Sequence, residues 1–126
     1  MLKLTYCLHR LPGMSRAEFQ RYWREVHAPL VAEAGPHLGV ARYVQSHTED
    51  HPVTEATASG RGIPTGDGED YDGVAELWFE DDALGNPGPE FEKHAHILAE
   101  DEASFIDFAR SRIFMTRENV VIAGHD

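Results

Sequence analysis

The sequence predicts an α+β domain of the ferredoxin-like class, in which a four-stranded antiparallel sheet carries its helices on one face. Segments with the two-residue period of strands and segments with helical period follow one another in the order βαββαβ, which is the split βαβ arrangement. The chain has 126 residues, enough for one compact domain and too few for two. Residues 1–126 are therefore predicted to form a single domain.

A third observation concerns the face of the sheet that carries no helices. The third predicted strand has apolar residues on both faces, which indicates that both faces are covered. A bare apolar sheet face on a small domain commonly packs against a second copy related by a two-fold axis. The sequence therefore predicts a homodimer in which two sheets close a dimeric α+β barrel.

The first strand and the first helix occupy the beginning of the chain. Residues 2–10 alternate, with apolar or aromatic side chains at positions 2, 4, 6 and 8, as in a half-buried strand. Ser15 and Glu18 form a capping box that begins a helix. Gly35 and Pro36 are predicted to end this helix. Its apolar stripe consists of Phe19, Trp23, Val26, Leu30 and Ala34.

The middle of the chain is predicted to hold two strands separated by a long loop. Residues 39–46 and 72–81 have the β-branched and aromatic character of strands. Residues 49–70 are rich in Gly, Pro, Thr and acidic residues and have no apolar period, which predicts a loop. Loops longer than roughly 15 residues are uncommon in compact domains and are often lids or binding loops. We expect this segment to be a mobile cover over a pocket entrance.

A second helix and a fourth strand complete the predicted order. Phe91, Ala95 and Leu98 recur at helical spacing, and residues 102–109 add another short apolar turn. Residues 112–123 are rich in β-branched and aromatic side chains, which predicts the last strand.

Composition and charge argue against several classes of partner. The formal net charge of −11 disfavours binding to the phosphate backbone of nucleic acids and to anionic membrane surfaces. No run approaches the roughly 18 apolar residues that a membrane-spanning helix needs. The single cysteine, Cys7, cannot form an intrachain disulfide, and the start of the chain shows no signal peptide. A cytoplasmic protein is expected.

The stretch YWREVHAPLV, at residues 22–31, places a histidine and a proline in the first helix. His27 follows Trp23 by four residues and so faces the sheet from the edge of the apolar stripe. Pro29 removes one helical hydrogen bond and predicts a local irregularity, a feature that is enriched beside functional groups. The pattern leaves two interpretations open, a core histidine bound to a backbone carbonyl and an acid/base residue that faces a pocket.

A carboxylate on the third strand is the next candidate. Glu76 shares a strand face with Val74 and Trp78, and an unpaired buried carboxylate is strongly unfavourable. A structural ion pair and a role in the site are both open. Its candidate partners are Arg42, Tyr43, His47 and His27.

These observations define a predicted site with two kinds of residue. His27 is the predicted general acid/base, with Glu76, Tyr43 or His47 orienting it or stabilising an oxyanion. Walls that suit a planar substrate are expected from Tyr22, Trp23, Val31 and Trp78. Aromatic residues such as Tyr22, Tyr43 and Trp78 more often belong to a packed core than to a substrate site, so that interpretation stays open as well.

Residues 88–100, GPEFEKHAHILAE, satisfy the G-x5-H-x-H-x3-E pattern of a cupin metal site with His94, His96 and Glu100. Histidines two positions apart converge on a strand, whereas the helical period of this segment predicts about 160° between them. We therefore predict surface histidines and no metal site. The sequence contains no flavin or nicotinamide signature, so no cofactor is predicted.

Four stretches together resemble the EthD family, named for ethyl tert-butyl ether degradation: GMSRAEFQRYWREVHAPLV, RYVQSH, YDGVAELWFED and DEASFIDFARSRIFMTRENVVI. The similarity covers most of the chain apart from the predicted loop, and its most specific part combines Tyr22-Trp23, His27 and Pro29-Leu30. The resemblance implies the dimeric α+β barrel. Similarity to isomerases and decarboxylases of the wider superfamily implies that the histidine at the position of His27 is a catalytic base.

Three functions follow as hypotheses. The first is a cofactor-independent enzyme for a small apolar aromatic or polyketide-type substrate, in which neutral His27 removes a proton next to a carbonyl. Isomerisation, cyclisation, dehydration and decarboxylation all fit it. The second is a non-catalytic binding or carrier module for a hydrophobic intermediate, which needs the pocket but not the base. The third is a cofactor-free monooxygenase, in which a deprotonated phenolic substrate itself reacts with oxygen.

Overall fold

The computed structural model describes residues 1–85 and 87–124. The strands are β1 (Leu2–Leu8), β2 (Val40–His47), β3 (Gly73–Phe79) and β4 (Arg112–Thr116). The helices are α1 (Arg16–Tyr22), α2 (Ala28–Leu38), α3 (Pro52–Ser59) and α4 (Pro89–Glu102), and a π-helical segment, Trp23–His27, joins α1 to α2. Apart from α3, the elements follow the predicted βαββαβ order.

The four strands form one antiparallel sheet in the order β2-β3-β1-β4. Tyr6 of β1 pairs with Ala75 of β3, and Leu77 of β3 lies between Leu4 and Tyr43 of its two neighbours. Residues paired in register share a face, so these side chains all lie on one side of the sheet. The ferredoxin-like fold class is confirmed.

The core lies between this face of the sheet and the helices. One buried cluster consists of Leu8, Phe19, Trp23, Ala75, Phe105 and Ile106. A second consists of Val31, Ala34, Leu38 and Leu98, which join α2 to α4. Gly73 permits the closest approach, because a Cβ atom there would overlap the Trp23 ring and lie 2.9 Å from the carbonyl oxygen of Ser46. Glycine thus lets the Trp23 ring lie directly on β3.

The first helix begins as the capping box predicts. The Ser15 side chain accepts from the amide of Glu18, and the Glu18 side chain accepts from the amide of Ser15. The predicted irregularity near Pro29 takes the form of the π-helical segment, in which the amide of Ala28 donates to the carbonyl of Trp23. Pro29 itself lies in the first turn of α2, where a missing amide is tolerated.

The extra residue in the π turn changes which side chains face the sheet. Val26, expected on the apolar stripe, is 44% exposed, whereas His27 is 4% exposed. A π turn holds one residue more than an α turn. His27, four positions after Trp23, therefore lies on the same side of the helix as Trp23, and Val26, three positions after it, turns outward. The backbone irregularity therefore turns His27 into the core.

The prediction that Gly35 and Pro36 end the first helical region is wrong. Helix α2 continues to Leu38, and Gly39 caps it with φ of 74°. Pro36 lies in the last turn, where its ring removes a single helical hydrogen bond. Burial of Leu38 against the α2–α4 core supplies the packing that keeps this turn helical.

Two further boundaries differ from the sequence prediction. Residues 49–70 are not a loop throughout, because α3 begins at Pro52 and His51 caps it by accepting from the amide of Val53. The last strand ends at Thr116 and not near residue 123. Thr116 pairs with Lys3, the second residue of β1, so almost none of that strand is left to pair with the residues after 116. No helix within residues 1–85 and 87–124 combines the length and apolar character needed to cross a membrane.

Candidate active site

A small cavity of about 50 Å³ lies between the sheet and the helices. Its apolar walls come from Leu8, Trp23, Val31, Ala75, Leu77, Leu98 and Ile106. Its polar groups come from Tyr6, His27, Tyr43 and Glu102. An apolar enclosure with a few convergent polar groups has the composition of a small-molecule site.

His27 enters this cavity from the end of the π-helical segment and is fixed by the C-terminal end of α4. Its Nδ1 lies 2.8 Å from Oδ2 of Asp101, and the Tyr22 hydroxyl donates to Oδ1 of the same carboxylate at 2.6 Å. Because a carboxylate only accepts, Nδ1 is assigned the proton and Nε2 carries the lone pair. Asp101 therefore orients the ring so that Nε2 faces the cavity.

Glu102 lies on the other side of the His27 ring. Its Oε2 is 3.9 Å from His27 Nε2, and its Oε1 accepts a 3.0 Å hydrogen bond from the Tyr6 hydroxyl. Burial is the main cause that raises the pKa of Glu102 from 4.5 to about 7; the Tyr6 hydrogen bond opposes this shift, and the nearby Asp101 charge adds to it. A carboxyl group with this pKa is substantially protonated at neutral pH.

The two facing groups shift in opposite directions. Burial lowers the pKa of His27 below 6.5, and the hydrogen bond and charge of Asp101 only partly offset it. Near neutral pH the site therefore contains a neutral imidazole opposite a carboxyl group that holds its proton in about half of the molecules. One group can take a proton and the other can give one, which is the combination that acid/base catalysis requires.

A second polar chain reaches the cavity from β2. The Gln45 amide nitrogen donates to the Tyr43 hydroxyl at 2.9 Å and to the carbonyl of Trp23 at 3.0 Å, and His47 Nε2 lies 2.9 Å from the Gln45 amide oxygen. Burial raises the pKa of Tyr43, so the phenol keeps its proton. The Tyr43 hydroxyl thus accepts from Gln45 and retains its own hydrogen as a donor at the cavity wall.

The structure brings together most of the residues selected from the sequence. His27, Tyr43, Trp23 and Val31 line the cavity. Tyr22 lies beside it and holds Asp101, whereas His47 lies behind the cavity wall, with its ring 4.6 Å from that of Trp23.

Glu76 and Trp78 do not join this group, because the strand register places them on the opposite face of the sheet. Glu76 binds Lys3 at 2.6 Å, a structural ion pair with a partner outside the predicted set. The Trp78 ring lies under the charged ends of Lys3 and Arg42, 5.3 and 4.8 Å from them, and its Nε1 donates to Glu118. Neither side chain can therefore orient His27 or contact a molecule bound in the cavity.

Three residues of the site were not selected from the sequence: Tyr6, Asp101 and Glu102. Tyr6 lies on the inward face that the alternation of β1 predicts, but that pattern assigns it only to the core. Glu102 continues the apolar series of Leu98 by four residues, which is the one signal that it faces inward. The surrounding acidic run resembles a solvated helix end and hides that signal.

His94, His96 and Glu100, which match the cupin pattern in the sequence, do not converge on a metal site. The helical period of this segment predicts that result. His94 and His96 both lie on α4, but the His94 side chain is 14% exposed and the His96 side chain 73%. Each pairs with a different glutamate one turn away, His94 with Glu90 and His96 with Glu100. The two histidines therefore face different directions.

Comparison with known proteins adds a family and a fold. A family model described as the EthD domain matches residues 11–109. Among solved structures, an ethyl tert-butyl ether degradation (EthD) family protein from Bacillus halodurans C-125 is similar with a TM-score of 0.59 and 16% identity, covering 94% of this chain and 99% of that one. HapK from Hahella chejuensis has a TM-score of 0.53 and 11% identity, covering 98% and 100%.

One curated relative carries a reaction in its name. The conidial pigment biosynthesis dehydratase EthD from Metarhizium robertsii is 40% identical over 47 residues. That alignment covers 37% of this chain and 33% of the relative, about a third of its length. The structural similarities support the fold, and the dehydratase name describes that relative.

Proposed function

The chain belongs to the EthD family, and from that premise we propose that it is a cofactor-independent dehydratase that removes water from a small hydroxylated carbonyl compound of aromatic or polyketide type. The observation that carries the proposal is the opposition of His27 Nε2 and Glu102 Oε2 across 3.9 Å, with pKa values shifted in opposite directions. The name of the Metarhizium relative supports the same reaction class.

In the first step, neutral His27 acts as the base. Its Nε2 takes a proton from the carbon next to the substrate carbonyl, and the electrons of that C–H bond form an enolate. Asp101 stabilises the resulting imidazolium through Nδ1. The Tyr43 hydroxyl, held by Gln45, is the donor assigned to the enolate oxygen.

In the second step, protonated Glu102 acts as the acid. The enolate electrons form a carbon–carbon double bond as the β-hydroxyl group leaves, and Glu102 supplies the proton that makes the leaving group water. The cycle ends with His27 protonated and Glu102 ionised. Transfer of the proton from Nε2 to Oε2, directly or through one water, restores both groups.

The size of the cavity limits how a substrate binds. About 50 Å³ is smaller than the cavity of about 150 Å³ that accommodates benzene in an engineered protein, and far below ordinary ligand pockets of about 300 Å³ or more. An aromatic substrate therefore requires the π-helical segment and α4 to move apart from the sheet. We propose that residues 49–70, including α3, act as the cover whose movement accompanies this opening.

The decisive experiment follows hydrogen exchange and elimination separately. The substrates are mono- and bicyclic β-hydroxy ketones that become aromatic on losing water. In deuterated buffer, NMR reports exchange at the α-carbon, and ultraviolet absorbance reports the aromatic product. The proposal expects both signals in the wild type, loss of both in His27→Gln, and loss of elimination with retained exchange in Glu102→Gln.

The other hypotheses give different results in the same assay. Exchange without loss of water indicates an isomerase or a cyclase, and oxygen uptake with a phenolic substrate indicates a monooxygenase. Tight binding of the ketones with neither exchange nor elimination supports a carrier. Each of these outcomes contradicts the dehydratase proposal.

We also propose that the chain is a homodimer that works in the cytoplasm. The dimer would cover apolar side chains that one copy leaves exposed: Phe114 on the face of the sheet without helices, and Val120, Val121 and Ile122 after β4. Sedimentation at micromolar concentration is expected to give about twice the 14.1 kDa chain mass. A monomer at that concentration contradicts the barrel prediction.

A further inference from the structure

A second histidine–carboxylate cluster lies at the opposite end of the α2–α4 pair from the cavity. His37 is in the last turn of α2, and Glu90 and His94 are near the start of α4. His27 and His37 are ten positions apart on the helical axis, which corresponds to about 15 Å. The cluster is therefore separate from the proposed active site.

The side chains of this cluster lie close together. The His37 and His94 rings are parallel within 6° with centroids 4.0 Å apart, and Glu90 Oε2 lies 3.6 Å from His94 Nε2. One possible ligand atom from each of the three residues lies within 4.8 Å of the other two. Tetrahedral coordination at about 2.0–2.1 Å brings ligand atoms to roughly 3.3 Å apart, so binding an ion requires the stacked rings and the Glu90 side chain to rotate toward a common point.

We propose that His37, Glu90 and His94 bind one divalent transition-metal ion of the Zn²⁺ type. Two imidazoles and one carboxylate suit this class of ion, whereas Mg²⁺ and Ca²⁺ prefer sites made of oxygen ligands. The His94 side chain is 14% exposed and so presents a fixed ligand, while Glu90, at 66%, can rotate to meet the ion. Water fills the remaining coordination positions.

The position of the ligands gives the ion a structural role. They come from two helices that are distant in sequence, and they converge only when α2 packs against α4 through Leu38 and Leu98. An ion that binds the folded chain and not the unfolded one stabilises the fold by mass action. We therefore expect the metal to hold together the far ends of α2, which directly follows His27, and α4, which carries Glu102.

The test uses untagged protein, since a histidine tag would bind the same ions. Titration of ZnCl₂ by calorimetry is expected to show one site per chain, and saturating Zn²⁺ is expected to raise the Tm by about 5 °C. His37→Ala is the main variant, because His37 is exposed and its loss leaves the core intact. It should lower Zn²⁺ affinity about tenfold or more and abolish the Tm increase. His94→Ala should do the same.

His96→Ala is the matched control. His96 is on the same helix and also pairs with a glutamate one turn away, but it belongs to no three-ligand set within the residues that the structure describes. Its removal should leave Zn²⁺ binding unchanged. Because the net charge of −11 attracts any cation, CaCl₂ is titrated in parallel and should give no Tm increase.

Two results would overturn the proposal: Zn²⁺ binding that is the same in His37→Ala as in the wild type, or equal stabilisation by Ca²⁺. Unchanged binding in His37→Ala would mean that other residues bind Zn²⁺. Equal stabilisation by Ca²⁺ would mean that the negative charge of the protein attracts cations without specific coordination. Cobalt(II) spectra add an independent measurement, since ligand-field bands that are lost in His37→Ala report imidazole coordination. All of these measurements are independent of turnover, so they stand or fall apart from the dehydratase proposal.

Discussion

The two histidine–carboxylate clusters at the ends of the α2–α4 pair contain the same kinds of side chain in different surroundings. At one end the side chains of His27, Asp101 and Glu102 are 5%, 16% and 19% exposed. At the other end Glu90 is 66% exposed and His37 lies at the surface. Solvent access is therefore the main difference between the clusters.

Burial decides what each cluster can do. In the enclosed cluster, desolvation penalises charge, which lowers the pKa of His27 and raises that of Glu102 to about 7. These two groups are poised to exchange protons near neutral pH. In the exposed cluster, water solvates the carboxylate and leaves its oxygens available to a cation. In this chain the two proposed roles, proton transfer and metal binding, use the same kinds of side chain and differ in how far those side chains are exposed to solvent.

The largest expected effect comes from removing the base. His27→Gln keeps a similar size and a hydrogen-bonding group for Asp101 but removes useful proton transfer, so turnover should fall by roughly 10²–10⁴. The matched control, His96→Gln, changes an exposed histidine and should retain wild-type turnover. Thermal melts and ligand titration check folding and binding. A folded His27→Gln variant with normal turnover would remove the base from the mechanism.

The next effect concerns the pH profile. The proposed mechanism requires His27 neutral and Glu102 protonated, so kcat/KM should rise as pH passes the lowered pKa of His27 and fall as it passes about 7. The optimum is therefore narrow and slightly acidic. Glu102→Gln should lower kcat about 10²-fold and remove the alkaline limb of the profile. Glu100→Gln, which changes an exposed glutamate on the same helix, should keep both limbs.

An alkaline limb that persists unchanged in Glu102→Gln contradicts the assignment of the acid. The profile is measured at saturating and at low substrate, so that effects on kcat and on kcat/KM are separated. A loss of kcat/KM without a change in shape indicates that Glu102 positions His27 and does not supply a proton.

Much of the fold could be predicted from local pattern. The capping box at Ser15 and the alternation in β1 are local features, and the structure confirms both. Helix α3 and the continuation of α2 past Pro36 were not predictable in this way. Helix α3 begins at Pro52, where the first turn of a helix tolerates proline. Helix α2 continues past Pro36 because packing supports its last turn, although proline usually indicates the end of a helix.

Of the residues around the cavity, the sequence predicted those of the first helical region, such as His27, but not their partners on α4. His27 could be selected because its spacing from Trp23 and the nearby Pro29 are visible in the sequence. The partners at Asp101 and Glu102 depend on how α4 packs against that segment, some 74 positions away in the case of Asp101. Glu76 was selected because its strand looked covered, and no local pattern says which face of the sheet the helices occupy.

A smaller effect is expected on stability. Because the folded protein holds the Glu102 proton up to about pH 7 and the unfolded chain releases it near 4.5, stability should fall as pH rises through that window. The shift corresponds to at most about 3 kcal/mol. Glu102→Gln removes this loss and should raise the Tm at pH 8 but not at pH 4.5, whereas Glu100→Gln should change it little. Equal melting of wild type and Glu102→Gln at pH 8 would show that the carboxyl group is not desolvated.

The smallest effect is expected from the carboxylate on the other face of the sheet. Glu76 is paired with Lys3 and separated from the cavity by the sheet itself, so Glu76→Gln should lower turnover by less than about threefold and leave both limbs of the pH profile in place. Breaking the partly buried ion pair is expected to lower the Tm, and Lys3→Met combined with Glu76→Gln should restore part of that loss. A fall in turnover as large as that of Glu102→Gln, with folding intact, would mean that the open face of the sheet takes part in the chemistry. In that case burial in the cavity beside His27 would not explain why Glu102 is catalytic, because Glu76 on the other face of the sheet would matter as much.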